Sequence, residues 1–205
     1  WPMSTEKTPK QFLDFLGTGE SLIQQTYHRV RRIFEPENIL VVTHENYAAL
    51  TQEHLPELPE KNIILEPLRR NTAPCIAYAA LKIKKRDAHA NMFIPPADHL
   101  ITDEKAFEAT VRMGLAKTEE SDCFVTIGIQ PHKPETGYGY IQYNEDLGDD
   151  FGSFAVKAFT EKPDIEHAKK FIESGDFLWN AGMFVWNINA LSNGLDTHLP
   201  ELMTT

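Results

Sequence analysis

The segment Pro95-Pro96-Ala97-Asp98-His99 follows a short apolar run, Asn91 to Ile94, that reads as a strand. A carboxylate just past a strand end suits Mg²⁺, which takes one or two carboxylates and fills its shell with water and phosphate oxygens. An Asp that caps a turn would look the same. His99 has no His or Cys partner at zinc-ligand spacing and reads as a residue that orients the loop. Upstream, Glu66 to Pro74 sets Arg69, Arg70 and Asn71 just before a helix start at Thr72, where free N–H groups and the dipole favour an anion or a polar base edge. A capped helix with a solvated arginine pair fits the same letters.

Three further stretches carry polar chemistry. In Pro134-Glu135-Thr136-Gly137-Tyr138-Gly139-Tyr140 the glycines permit close backbone approach, and the tyrosines suit a sugar face, a nucleoside or a core-facing turn. Thr160-Glu161-Lys162-Pro163 places an acid and a base at adjacent strand positions, pointing to opposite faces; alone, a surface ion pair explains it. Leu178-Trp179-Asn180-Ala181-Gly182-Met183-Phe184 is core-like, with Asn180 the one polar group suited to a hydroxyl. Taken singly, Lys10 is a solvated charge, and Arg29, Arg31 and Arg32 form a solvated helix face. Phosphate-loop, dinucleotide, serine-hydrolase and zinc-protease signatures are absent from the sequence.

The elements that must position these groups alternate between short β-branched runs and helix-period segments. Helices are expected from the Ser21 capping box to about Phe34, from Glu45 to His54, from a Thr72 cap to about Arg86, after an Asp103 cap with Phe107, Val111 and Leu115 inward, and from Asp164 to about Ser174. Strands are expected at Asn38 to Val42, Asn62 to Leu65, Asn91 to Ile94 and Cys123 to Ile129, the last buried on both faces by its unbroken apolar character. Extended segments at Tyr138 to Tyr143, Phe154 to Thr160 and Gly182 to Trp186 add an antiparallel piece. The fold class is therefore α/β: a three-layer, Rossmann-like, mainly parallel sheet with an added antiparallel lobe. Ligands of such sheets sit beyond the carboxyl ends of the strands, where the segments above fall.

Composition narrows the classes of function. Among 205 residues, 30 are acidic and 20 basic, a net charge of -10. That excludes a broad nucleic-acid or anionic-membrane surface. No apolar run approaches the ~20 residues of a membrane span. Cys75 and Cys123 lack a Cys-x-x-Cys spacing, which fits a reduced compartment, the cytoplasm.

Taken in order, the segments resemble the sugar-nucleotide pyrophosphorylases, and among them the mannose-1-phosphate guanylyltransferases. The carriers are Trp1-Pro2-Met3-Ser4, Pro9-Lys10-Gln11-Phe12, Glu66-Pro67 with Arg70-Asn71-Thr72-Ala73-Pro74, Pro96-Ala97-Asp98-His99, Pro134 to Ile141, Glu161-Lys162-Pro163 and Trp179 to Phe184. The resemblance implies the nucleotide-diphospho-sugar transferase fold and transfer of GMP from GTP to mannose 1-phosphate, with Mg²⁺. It implies Lys10, Lys162 and Asp98 as catalytic groups, Asp98 also holding the metal. Arg70, Asn71, Thr72, Pro96 and Ala97 would surround the nucleotide, and Tyr138, Gly139, Glu161 and Asn180 the sugar. Arg69 stands where that family usually has Gly, His132 where it has Thr, and Ala181 where it has Ser. The family's Gly-rich loop and second metal-binding Asp have no counterpart between Trp1 and Thr205. Residues 1–205 are thus expected to be one catalytic domain lacking both ends, with a homo-oligomer possible. Another sugar phosphate or base, or a regulatory homologue that binds nucleotide sugars without turnover, stays open at this point.

Overall fold

The computed structural model describes residues 4–66, 72–150 and 152–200. The chain divides into two compact units, residues 1–90, 96–109 and 191–205, and residues 91–95 with 110–190.

In the first unit, β1 (Val41–His44) and β2 (Ile63–Glu66) pair in parallel, Val41 opposite Ile63 through His44 opposite Glu66. Helix α1 (Leu22–Val30) starts at the expected capping box, in which the Ser21 N–H donates to Gln24 Oε1 at 2.9 Å. It stops short of Phe34. The chain turns after Val30, and Glu35 takes the extended conformation that the residue before Pro36 prefers. Arg29 is not on a solvated face: it is 4% exposed, with its guanidinium 5.6 Å from the Phe107 ring centroid. Arg31 and Arg32 do lie on the surface, paired with Glu57 and Glu104. A 3-10 turn (Glu45–Tyr47) leads into α2 (Ala48–His54), and α3 (Thr72–Lys84) buries Ile76 and Ala80. Thr72 is the first helical residue rather than its cap; position 71 lies outside the described residues.

Asn62 holds this unit together at one point. It is fully buried; its Nδ2 donates to the carbonyls of Pro36, Glu37 and Ile39 at 2.9–3.1 Å, and its Oδ1 accepts from Arg86 at 3.0 Å. Removing the amide takes a donor from three carbonyls, that of Ile39 buried and those of Pro36 and Glu37 partly so, and an acceptor from one arginine. We expect Asn62→Ala to cost about 3 kcal/mol and to lower Tm by on the order of 10 °C. A thermal melt within about 1 °C of wild type would show that water replaces the amide without loss.

The second unit is a sheet ordered β3-β7-β5-β6 with β4 also on β7. Its strands are β3 (Asn91–Ile94), β4 (Phe124–Ile129), β5 (Tyr140–Gly148), β6 (Phe154–Thr160) and β7 (Phe177–Asn187). A two-stranded parallel sheet and a five-stranded antiparallel sheet are both present, so the α/β class holds, and among the described strands the antiparallel part is the larger where the sequence pattern leads one to expect a mainly parallel sheet. What alternation does not disclose is that β7 runs between β3 and β4, antiparallel to both. Val185 has Phe93 on one side and Val125 on the other, and is 0% exposed. Strand β4 is not buried on both faces: Phe124 and Ile129 are exposed at its ends. Among the described strands it pairs with β7 alone, so its outer edge and part of its faces stay open.

Helix α4 (Glu104–Glu120) starts where Asp103 Oδ1 accepts the Ala106 N–H, and buries Phe107 and Val111, with Leu115 half-buried. Helix α5 (Ile165–Ser174) is capped by Asp164, which accepts the His167 N–H at 2.9 Å, and ends at Gly175 in the left-handed region. It brings Phe171 onto Phe177, stacked at 4.1 Å, over a core of Tyr140, Ala168 and Trp179. A final helix, α6 (Ile188–His198), lies beyond the elements expected from the sequence. Among the described residues no helix is long and apolar enough to cross a membrane.

Candidate functional site

In the first unit, Lys10 and Asp98 meet as an ion pair. Lys10 opens a short 3-10 turn (Lys10–Phe12) whose Phe12 is buried against Tyr47 and His54, so the lysine is left 62% exposed. Asp98 stands in the loop after β3, where Pro95 and Pro96 end the strand by supplying no N–H. Pro96 and Ala97 are half-buried beside it, as is His99. Burial holds His99 below its usual range, with Lys10 and Arg29 adding to that effect and Asp98 opposing it. A neutral imidazole at pH 7 fits an orienting role better than a cationic one.

Next to Lys10 is a cavity of about 330 Å³ lined by Pro9, Gln11, Val42, Thr43, His44, Tyr47 and Glu66. Its carboxylate, Glu66, is hydrogen-bonded to Cys75; burial first, then this charge and bond, push the Cys75 thiol up to about 11. Glu66 is a residue to which the motif reading assigns no task, because a cavity is formed by residues distant in sequence. Thr72 is exposed at the start of α3; Arg70 and Asn71 lie outside the described residues.

In the second unit the expected sugar residues gather around the start of β5. Gly139 is close-packed: a Cβ there would lie 3.0 Å from Glu161 Oε2 and 3.1 Å from Phe159, so any side chain would push these two neighbours by a few tenths of an ångström. Its carbonyl accepts the Asn180 N–H at 2.8 Å. Asn180 Oδ1 accepts from Thr126 and from the Gly182 N–H. Tyr138 is half exposed, its ring 5.3 Å from that of buried Trp179, with His132 at 4.9 Å on the same indole. The loop leading in is pinned at two points. The Tyr140 hydroxyl accepts the Glu135 N–H at 3.0 Å, and the Glu135 carboxylate accepts from the Thr136 and Gly137 amides. Lys133 and the Gly137 amide hold the Glu135 carboxyl below its usual range.

Glu161 and Lys162 do not occupy opposite faces of a strand. Strand β6 ends at Thr160, and the two side chains pair with each other at 3.4 Å in the bend beyond it. Lys162 has φ 44°, the one non-glycine residue in the left-handed region among those described. Held between the strand end and buried Pro163, it carries backbone strain of a kind that gathers at functional sites. Nothing in the sequence signals it.

A family described as nucleotidyl transferase matches residues 1–202. The chain is 42% identical over 204 residues to a protein named xanthan biosynthesis protein XanB from Xanthomonas campestris pv. campestris, covering 98% of this chain and 42% of that protein. It is 39% identical over 209 residues to a mannose-1-phosphate guanylyltransferase of Escherichia coli K12, covering 99% of this chain and 43% of that one. Among solved structures, one from Thermus thermophilus described as mannose-1-phosphate geranyltransferase superposes with TM-score 0.88 at 30% identity, over 98% of this chain and 57% of that chain. One from Helicobacter pylori described as mannose-6-phosphate isomerase gives 0.81 at 31%, over 95% and 72%. The chain thus spans less than half the length of the curated relatives, 42–43%.

Proposed function

Because the chain belongs to the nucleotidyl transferase family, we propose that it moves GMP from GTP onto mannose 1-phosphate, giving GDP-mannose and pyrophosphate. The observation that carries this reading is the Lys10–Asp98 pair beside the Glu66-lined cavity. A sugar phosphate is already a nucleophile, so neither a serine relay nor a general base is needed. Its oxygen attacks the α-phosphorus, the bond to the β-phosphate oxygen breaks, and pyrophosphate leaves with the electron pair. The obstacle is repulsion between polyanions, so the work of the protein is in-line placement and charge neutralisation. Lys10 supplies positive charge to the triphosphate, and Lys162 to the phosphate of the mannose.

Among the described residues no cluster of three potential ligands stands ready for a metal. One exposed-edge carboxylate, Asp98, suits Mg²⁺ that arrives on nucleotide phosphates and keeps most of its shell in water and phosphate oxygens. Such an ion would spread the negative charge that develops on the leaving group. Guanine presents two adjacent donors, N1–H and N2–H₂, and a carboxylate is an acceptor only. Glu66 therefore matches guanine better than adenine, cytosine or uracil. Gly139, Glu161 and Asn180 contact the mannose, and Tyr138 packs on it. GTP and sugar phosphates fit a reaction in the cytoplasm, in keeping with two free cysteines.

Pyrophosphate release across GTP, ATP, UTP and CTP, each with mannose, glucose and galactose 1-phosphates, tests the reading. The expected result is a GTP and mannose 1-phosphate preference of at least about tenfold over any other pair. Glu66→Gln, which removes the charge and offers a donor, should lower kcat/KM for GTP by on the order of 10²-fold and narrow its lead over ATP. A higher rate with another pair overturns the substrates, and GDP-mannose binding without turnover on any pair makes the protein a regulatory homologue.

A further inference from the structure

Asn180 sits in an apolar stretch, and its amide is held from one end. Its Oδ1 accepts the Gly182 N–H at 3.0 Å and the Thr126 hydroxyl at 3.1 Å. A backbone N–H can only donate, so Gly182 fixes which end of the amide is oxygen. The Nδ2 end, with two donors, has no partner among the described residues. Thr126 would not be expected to reach Asn180 at all, since its Cα partner on β7 is Phe184. The pairing slips between Thr126 and Gly128, and within the facing strand β7 Gly182 sits at φ 65°. Irregularities of this kind re-aim side chains, and here the slip brings the hydroxyl onto the amide. The same hydroxyl lies 3.4 Å from the Met183 carbonyl, a longer and weaker alternative for its single proton.

We infer that Thr126 is a positioning residue that sets specificity at the sugar. It holds the Asn180 oxygen so that the Nδ2 donors face a hydroxyl oxygen of the bound sugar phosphate. This rests on the reading of Asn180 as a sugar contact. Thr126 touches no reacting atom. It acts on which sugar fits, because with the Gly182 N–H alone the amide keeps its ends but is held at one point, and its donors can swing away from one hydroxyl direction.

The test compares Thr126→Val, which keeps the shape without the hydroxyl, with Thr126→Ser, which keeps the hydroxyl, and with Asn180→Ala. Binding of mannose 1-phosphate and of GTP is measured by calorimetry, and KM and kcat are measured alongside. Thr126→Val should weaken mannose 1-phosphate binding and raise its KM about tenfold, with kcat changed less than about threefold. Thr126→Ser should stay within about twofold of wild type, and Asn180→Ala should lose about 30-fold. GTP affinity should not move in any of them. If Asn180→Ala weakens sugar binding while Thr126→Val does not, the inference about Thr126 is overturned and the sugar reading stands. If Asn180→Ala binds mannose 1-phosphate like wild type, the sugar reading falls and Thr126 with it. Equal losses for sugar phosphate and GTP mean general damage and also overturn the inference. Should Thr126→Val not fold, Thr126→Ala against Thr126→Ser makes the same comparison.

Discussion

Asp98→Ala should abolish Mg²⁺-dependent GDP-mannose formation, lowering kcat/KM by at least on the order of 10²–10³-fold while the fold survives. The separation follows from where the residue sits. Asp98 is in the loop after β3, its side chain 21% exposed and paired with a lysine that is itself mostly exposed. Pairs of that kind contribute at most about 1 kcal/mol to stability, so the melting curve should barely change. For catalysis the loss is of another order, because among the described residues no group of three potential metal ligands stands elsewhere to take over. Lys10→Ala makes the contrast. It should cost activity without raising the Mg²⁺ concentration at half-maximal rate, since losing the cation paired with Asp98 does not weaken the carboxylate's hold on Mg²⁺, whereas Asp98→Asn should raise that concentration. Near-normal turnover by Asp98→Ala rules out the metal assignment, and a large fall in Tm assigns Asp98 a structural role instead.

Much of this arrangement is legible in the sequence because its signals are local. Strand β3 ends where Pro95 and Pro96 supply no N–H, and α5 is bounded by a capping Asp164 and a left-handed Gly175. The glycine at 139 announces close approach, and the structure shows the neighbours, Glu161 and Phe159, that approach it. What stays hidden is non-local. The apolar run Phe124 to Ile129 reports a strand but not how many strands flank it, so its exposure could not be read. The position of β7 between β3 and β4 depends on pairings across nearly a hundred residues of chain. Arg29 carries the letter of a surface residue, and only the packing of α1 and the Phe107 ring puts it inside. Thr126 lacks a motif of its own, and Glu66 stands in one that assigns it no task. Each gains its place from a cavity or a register slip that no window of sequence contains.

The net charge of -10 sets a similar contrast. An acidic surface repels a polyanionic substrate at long range, and salt in the cell screens that repulsion within about 8–10 Å. Close in, a few fixed cations decide, which gives single lysines unusual weight. Lys162 is the sharper case because its backbone is strained as well. Lys162→Gly removes the amine and relieves a φ of 44°, since glycine adopts that region freely. Lys162→Ala removes the amine and keeps the strain. Both should lower kcat/KM for mannose 1-phosphate by on the order of 10²–10³-fold. Their stabilities should diverge, with Lys162→Gly about 1 kcal/mol more stable than Lys162→Ala and no less stable than wild type. The exposed Glu161 pair contributes too little to mask that difference. A lysine kept in a conformation that glycine would hold more cheaply is explained by what its amine does, and the two variants read that directly. Should Lys162→Gly melt below Lys162→Ala, the strain is not there. Should it turn over like wild type, the amine is not needed, and the left-handed backbone at 162 serves the turn into Pro163 and the cap of α5 instead.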